Sequence, residues 1–490
     1  MSNGPASNAK WLYDSPINFD VEAKLRHFLV EMGNADRILG IQVCAYKDGK
    51  VIIDTSAGVL GIDDPRPVQP DSLFNVFSVT KDITAGLVHW LADKGKLKLD
   101  DHVANIWPEF STNGKDQIKI FSGGFVNHVL THSAGLQNAL AGISDNDPDL
   151  YCNFDKCLKR IAMVAPETEP GTKELYHYHL GGYVVRASGK KYQEVLEEAF
   201  TCPLGIEGEF YIGTPPGIKE SRLATLTTDA PDFNKFTTFI ESQKISDTST
   251  MPSSFTFSML ENLVPLSNTL SFSRAIQPSA NAHVSARALA RYYATLADGG
   301  VVPTNTNGVV PGIFTNPKDK IHDAIIGNGD YNDLILPGGS FGLGFHRIFA
   351  TNGLLIGFGL MGFSGSTGYC DINNRFAIGV TLNKCSFGGL TGEIIRLICS
   401  ELDLPLPNEY AVPSEIPKPV FFQLKEVCSK PWGQKFLINV TYQSRDYFRN
   451  HNSVGDQTNK AIFSSLFGCN FCYSVITVAP IINTVVPLLH

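Results

Sequence analysis

An α+β architecture, an α/β sandwich, is expected from three features of this 490-residue chain. Strand patterns stand near its start, helical periodicity dominates its middle, and strand patterns return before a final helix. Together they predict a sheet assembled from both chain ends, with a mostly helical region inserted between its halves. The first element is a hairpin over residues 41–58, where apolar runs flank the turn signal Lys47-Asp48-Gly49. A helix follows over 78–94: Ile83, Leu87 and Leu91 recur every four residues beside Val88, and Gly95 supplies the stop. Residues 126–132 and 281–297 are also expected to be helical, the second carrying Ala286, Leu289, Ala290, Tyr293 and Leu296 on one face. The stretch 212–280, rich in Thr, Ser, Pro and Asn, has no assignable period. Residues 353–359, 368–371 and 376–382 are short, apolar and bounded by glycine, hence strands, and 391–402 closes the region as an amphipathic helix.

Composition narrows the function classes. Hydrophobic residues make up 43% of the chain, enough for a sizeable core. The charged fraction of 18% lies below the roughly 25% of an average soluble domain, which argues against a disordered chain. Lys and Arg number 40 against 48 Asp and Glu, a net charge of −8 with no basic block, so nucleic acid is not an expected partner. Ten scattered cysteines read as free thiols of a reducing compartment. With no apolar leader in the opening residues, a cytoplasmic location is expected; the alternative is membrane association through residues 461–490. That tail has no charged side chain between Ala461 and Leu489. Yet Pro480, Asn483 and Pro487 interrupt the run of about 20 apolar residues that a span needs. The expected organisation is an arm over 1–19, a main domain over 20–402 and an extension over 403–490, entered through a stretch with five prolines. Within the main domain, 20–70 and 335–402 would supply the sheet and 71–334 the helical part.

Three segments carry chemistry. In Ser78-Val79-Thr80-Lys81 the serine and the lysine stand at i and i+3, on one face of the predicted helix, so the amine can reach the hydroxyl. A serine hydroxyl needs a neighbouring base to act as a nucleophile, and lysine serves once burial or a nearby cation lowers its pKa. The tetrapeptide alone arises by chance in most chains of this length; its position at the opening of a well-patterned helix is what singles it out. The second segment is Leu175-Tyr176-His177-Tyr178-His179. Tyr176 can serve as a general acid or base if a cation such as Lys81 lowers its pKa, or it can be a tyrosine at the edge of the core. The pairs His177/His179 and His128/His132 lack a third ligand or an adjacent glutamate, and Cys469/Cys472 lack a second pair, so no metal and no cofactor is expected. The third segment, Gly359-Leu360-Met361-Gly362-Phe363-Ser364-Gly365, is a glycine-rich strand end that lets a substrate approach backbone N–H groups. No G-x-G-x-x-G follows a strand in a dinucleotide context and no G-x-x-x-x-G-K-[ST] is present, so nucleotide binding is not expected.

Read in order, Ser78-Val-Thr-Lys81, Tyr176 within Leu-Tyr-His, and the strand centred on Gly362 resemble the three motifs of serine β-lactamases and penicillin-binding proteins, closest to the class C-like branch that includes carboxylesterases. Supporting text includes Leu97-Lys-Leu-Asp-Asp101, Val129-Leu-Thr-His-Ser-Ala-Gly-Leu136 and Ser285-Ala-Arg-Ala-Leu-Ala-Arg291, and the likeness runs from about Asp20 to Leu402. The resemblance implies an antiparallel sheet flanked by helices, with the site in a cleft beside the helical part. It implies an acyl-enzyme on Ser78, proton transfer by Lys81 and Tyr176, and an oxyanion hole made by the backbone N–H groups of Ser78 and Phe363. Leu360, Gly362 and Tyr178 would line the substrate pocket. Leu360 stands where β-lactamases carry the lysine that holds an antibiotic's carboxylate, so an uncharged ester, or an amide, is the expected small-molecule substrate and β-lactamase activity is not. Tyr178 replaces an asparagine common in the family. The competing expectation is a catalytically inactive scaffold or binding protein that keeps the fold.

Overall fold

The computed structural model describes residues 12–111, 126–140, 152–177, 181–218, 220–228, 233–234, 236–238, 257–303, 312–412, 422–426 and 436–440. The chain divides into two compact units, Met1–Ala411 and Val412–His490. In the first unit the hairpin forms as β1 (Gly40–Lys47) and β2 (Lys50–Gly58). Asp48 and Gly49 between them both take positive φ, 51° and 75°, the conformation of a two-residue turn that matches strand twist. The other short strands are β3 (Phe74–Asn75), β4 (Phe210–Ile212), β5 (Thr227–Thr228) and β6 (Ala282–Val284). Towards the end come β7 (Arg347–Phe349), β8 (Leu355–Met361), β9 (Thr367–Asp371), β10 (Phe376–Leu382) and β11 (Lys384–Cys385). Strands from both chain regions join in one antiparallel sheet of order β2-β1-β10-β9-β8-β7, with Ile41 opposite Leu382 and Lys47 opposite Phe376.

Both faces of this sheet are covered, so its central strands are apolar on each side rather than alternating with polar residues. On the outer face lie α1 (Asp20–Asn34) and α4 (Gly389–Glu401). Leu25 and Leu29 of α1 and Ile394, Ile395 and Ile398 of α4 meet Ile41, Val43 and Ile378 there, all of them buried. Each such side chain stabilises the fold by about 1.5–3 kcal/mol on leaving water. The sequence reading had no helix at 20–34, although Val21, Leu25 and Leu29 already repeat every four residues. On the inner face lie α2 (Val79–Asp93) and α3 (Ala286–Ala297), packed against Cys44, Tyr46, Phe358 and Cys370.

The expected helix over 281–297 is corrected at its start. Residues 282–284 are β6, which pairs with β3 and β4, and the helix begins only after Ser285. The Ser285 hydroxyl accepts the Ala288 N–H at 3.1 Å, a cap that ends the strand and opens the helix. The described parts of 212–280 include helices at Phe257–Ser267 and Leu270–Arg274, and β5 pairs in parallel with β11. The second unit is described at β12 (Phe422–Glu426) and β13 (Phe436–Val440), an antiparallel pair with Phe422 opposite Val440. Among the described residues no helix is long and apolar enough to cross a membrane, and the tail 461–490 lies outside them.

Candidate active site

The site begins with a strained turn. Phe77, wholly buried, takes φ +43°, a left-handed conformation that a bulky residue adopts only when its surroundings enforce it. Asn75 Oδ1 accepts the Phe77 N–H at 2.9 Å, Ala282 O accepts the Val76 N–H at 3.0 Å, and Thr80 Oγ1 accepts the Ala282 N–H at 2.9 Å. These bonds tie the turn to β6 and deliver Ser78 to the N-cap of α2. A serine there ordinarily caps the helix with its hydroxyl, but Ser78 makes no side-chain cap hydrogen bond. Its Oγ instead accepts hydrogen bonds from Tyr176 Oη at 2.8 Å and from Lys81 Nζ at 3.3 Å.

Lys81 is 1% exposed. Its Nζ also donates to Ser279 O at 2.9 Å and lies 4.7 Å from the centre of the Tyr176 ring. Burial is the main cause that brings its ammonium down to about 7, with the neighbouring Asp82 pulling weakly the other way. Near neutral pH a large share of Lys81 is therefore free amine, in hydrogen-bond contact with Ser78 Oγ. Tyr176 behaves in the opposite sense. Burial raises its hydroxyl above the ordinary tyrosine value, the Ser78 hydrogen bond opposing and Asp82 adding to the rise. The sequence-based idea that Lys81 pulls this tyrosine down fails because a lysine that is itself discharged by burial offers little positive charge. Tyr176 thus stays protonated and acts as a donor.

The segment carrying Tyr176 is held from behind by His132, to which the sequence reading assigned no role at the site. His132, at φ +56°, accepts the Leu175 N–H on its carbonyl at 2.8 Å and the His177 N–H on Nδ1 at 3.0 Å. Its ring stacks on Tyr176 with centroids 4.7 Å apart and meets Phe341 edge-on at 4.4 Å. Glu174, next but one to Tyr176, accepts the Ser340 N–H at 2.8 Å. The pairing of His132 with backbone 45 residues away has no sequence signal; the chain shows only the His128/His132 spacing and the family likeness of Val129–Leu136.

The third segment closes the site. β8 ends at Met361, and the N–H of the next residue, Gly362, donates to Ser366 O at 2.7 Å in the tight turn to β9. A Cβ at Gly362 would lie 2.2 Å from Val76 O, so only glycine lets this strand end press against the turn before Ser78. Phe363 then meets Phe77 edge-on at 5.4 Å. Neither the Ser78 N–H nor the Phe363 N–H donates to a partner among the described residues. Leu360 is half-buried and shares a strand face with Phe358, the face packed against α2. Ser78, Lys81 and Tyr176 are thus in direct contact, Gly362 and Phe363 lie against Val76 and Phe77 in the turn before Ser78, and Tyr178 lies outside the described residues.

The chain is similar to known proteins. The family model for Beta-lactamase matches residues 25–384. Esterase/beta-lactamase LipL of Mycobacterium tuberculosis is 27% identical over 361 residues, covering 71% of this chain and 78% of its own. Esterase EstB of Burkholderia gladioli is 28% identical over 193 residues, and the match spans about half of that protein, 49%. The crystal structure of a penicillin-binding protein homologue from Caulobacter crescentus superposes with a TM-score of 0.60 at 26% identity, over 80% of this chain and 100% of that one. A family match that begins in α1 and runs through β11, on a fold shared with a penicillin-binding protein homologue, means that this chain belongs to the Beta-lactamase family of serine hydrolases.

Proposed function

We propose that the chain hydrolyses small uncharged esters through an acyl-enzyme on Ser78. One observation carries this reading: Ser78 Oγ lies within hydrogen-bond reach of both a buried amine of pKa about 7 and a protonated tyrosine. Lys81 as free amine takes the proton from Ser78 as Oγ attacks the carbonyl carbon. The carbonyl oxygen gains negative charge and is met by the N–H groups of Ser78 and Phe363, each such donor being worth about 3 kcal/mol in the transition state. As the bond to the alcohol breaks, Tyr176 gives its proton to the departing oxygen and is reprotonated by the Lys81 ammonium. Water then attacks the acyl group, the same two residues carry its proton to Ser78 Oγ, and the acid leaves. LipL and EstB, both named as esterases, support the ester class. Leu360 supports an uncharged substrate, since an apolar side chain offers nothing to an antibiotic's carboxylate.

The test is intact mass after exposure to a fluorophosphonate, for wild type and Ser78→Ala. One adduct on wild type that is absent from the variant is expected. A folded wild type that takes up no label sinks the proposal and favours the inactive scaffold.

A further inference from the structure

We infer that Phe236, Phe363 and Phe387 form a specificity subsite that receives an aryl-sized, uncharged group of the ester, adjoining the scissile carbonyl. The inference rests on the hydrolase reading above and adds to it the shape of the substrate. Phe363 is the hinge of the argument. Its N–H adjoins the carbonyl position, and its ring lies against Phe77, the neighbour of the nucleophile. A substituent leaving the carbonyl on that side meets the Phe363 ring next. Beyond it, Phe236 and Phe387 stack on each other, centroids 4.5 Å apart and planes within 13°. Both meet Phe363 edge-on, at 5.4 Å and 80° and at 5.3 Å and 77°.

Three features separate this cluster from ordinary core. First, all three rings are only half-buried, whereas Phe77 beside them and Phe358 on the neighbouring strand are buried outright. Apolar surface left open next to a nucleophile marks a ligand site. Second, the floor is apolar as well, made by Leu226, Val264 and Cys385. A charged substituent would be desolvated there without a partner. Third, Phe387 takes φ +47° and is followed by Gly388 at φ +92°. Backbone strain of about 1–3 kcal/mol is spent to turn this ring towards the other two, although a small residue would relieve it. A stacked pair set edge-on against a third ring offers a planar guest both a face and an edge, the two arrangements that aromatic rings prefer.

The experiment measures kcat/KM for wild type, Phe236→Ala and Phe387→Ala on two ester pairs. In the acyl arm p-nitrophenyl benzoate is compared with p-nitrophenyl acetate; in the alcohol arm benzyl acetate is compared with ethyl acetate. The change in each ratio between wild type and variant cancels the intrinsic reactivity of the esters. The expected result is a fall of about tenfold or more in the ratio of one arm for both variants. That arm identifies which side of the ester occupies the rings. Ratios unchanged in both arms, with Ser78 still labelled by fluorophosphonate, overturn the subsite alone. Loss of labelling in wild type overturns the parent reading together with it.

Discussion

Two helices of this protein each bury neighbouring charged residues, and they treat them in opposite ways. On α1, Glu22 and Arg26 are 3% and 8% exposed and form an ion pair at 3.0 Å. Several further hydrogen bonds surround that pair. Arg26 also donates to Thr55 Oγ1 and to the carbonyl and hydroxyl of Ser15, and Glu22 Oε1 accepts from Thr55 Oγ1 and the Asp54 N–H. On α2, Lys81 and Asp82 are 1% and 0% exposed but adjacent in the chain, so they leave the helix in different directions and form no ion pair with each other. Asp82 accepts from Tyr293 Oη at 2.6 Å on one oxygen, and its Oδ1 has no hydrogen-bond partner among the described residues. Burial drives both α2 groups towards neutrality, Asp82 upwards and Lys81 downwards. The α1 pair is surrounded by hydrogen bonds, whereas burial is the larger cause acting on both α2 groups. The first arrangement holds α1 to the sheet; the second makes an amine that can take a proton.

The largest effect that would sharpen this contrast is expected from Lys81→Met. Turnover of a small ester should fall by at least about a thousandfold, because the base is gone. The variant should also be more stable than wild type at pH 5. Below its folded value of about 7 the wild-type Lys81 is a charged group without solvent. That cost is full there and fades as pH rises through 7 towards the ordinary lysine value of 10.5. A variant equally stable at pH 5 and active would break the comparison on its α2 side.

Arg26→Met tests the α1 side. It leaves Glu22 buried without its cation, so urea unfolding should show a loss of about 3–5 kcal/mol, while kcat/KM of the folded protein stays within about twofold of wild type. A loss under about 1 kcal/mol would mean that the hydrogen bonds from Thr55 and Asp54 suffice. The smallest effect is expected from Asp82→Asn. Wild-type kcat/KM should climb with pH on an acid limb centred near 7, as Lys81 loses its proton, with no fall above it while Tyr176 remains protonated. If Asp82 is already neutral, its replacement by a neutral isostere should move that midpoint by less than about 0.3 of a pH unit. A downward shift of about one unit would show that Asp82 carries its charge.

Much of this was legible along the chain because the relevant forces act over a few residues. The β1–β2 turn needs two residues that tolerate positive φ, and Asp48-Gly49 announces it. Ser78 and Lys81 stand three residues apart on one helix, so their meeting follows from helical geometry alone. The glycine at 362 is visible as a residue, and its necessity shows only when Val76 O is found where its side chain would be. At 281–285 the helical period of 286–296 was carried too far back: Ala282 and Val284 alternate as in a strand, and they pair with Phe74–Asn75 and Phe210–Ile212.

By its own short-range pattern, then, the sequence determined an α+β fold with strands at both ends of the main unit and a serine and a lysine facing each other at a helix start. Tertiary structure alone decided that Tyr176 reaches Ser78 from 98 residues away, that His132 clamps it there, and that Phe236, Phe363 and Phe387 converge beside the nucleophile. The physical reason is one of range. Backbone dihedrals and side-chain period are encoded locally, whereas desolvation, ring contact and long hydrogen bonds exist only once distant segments have closed on one another.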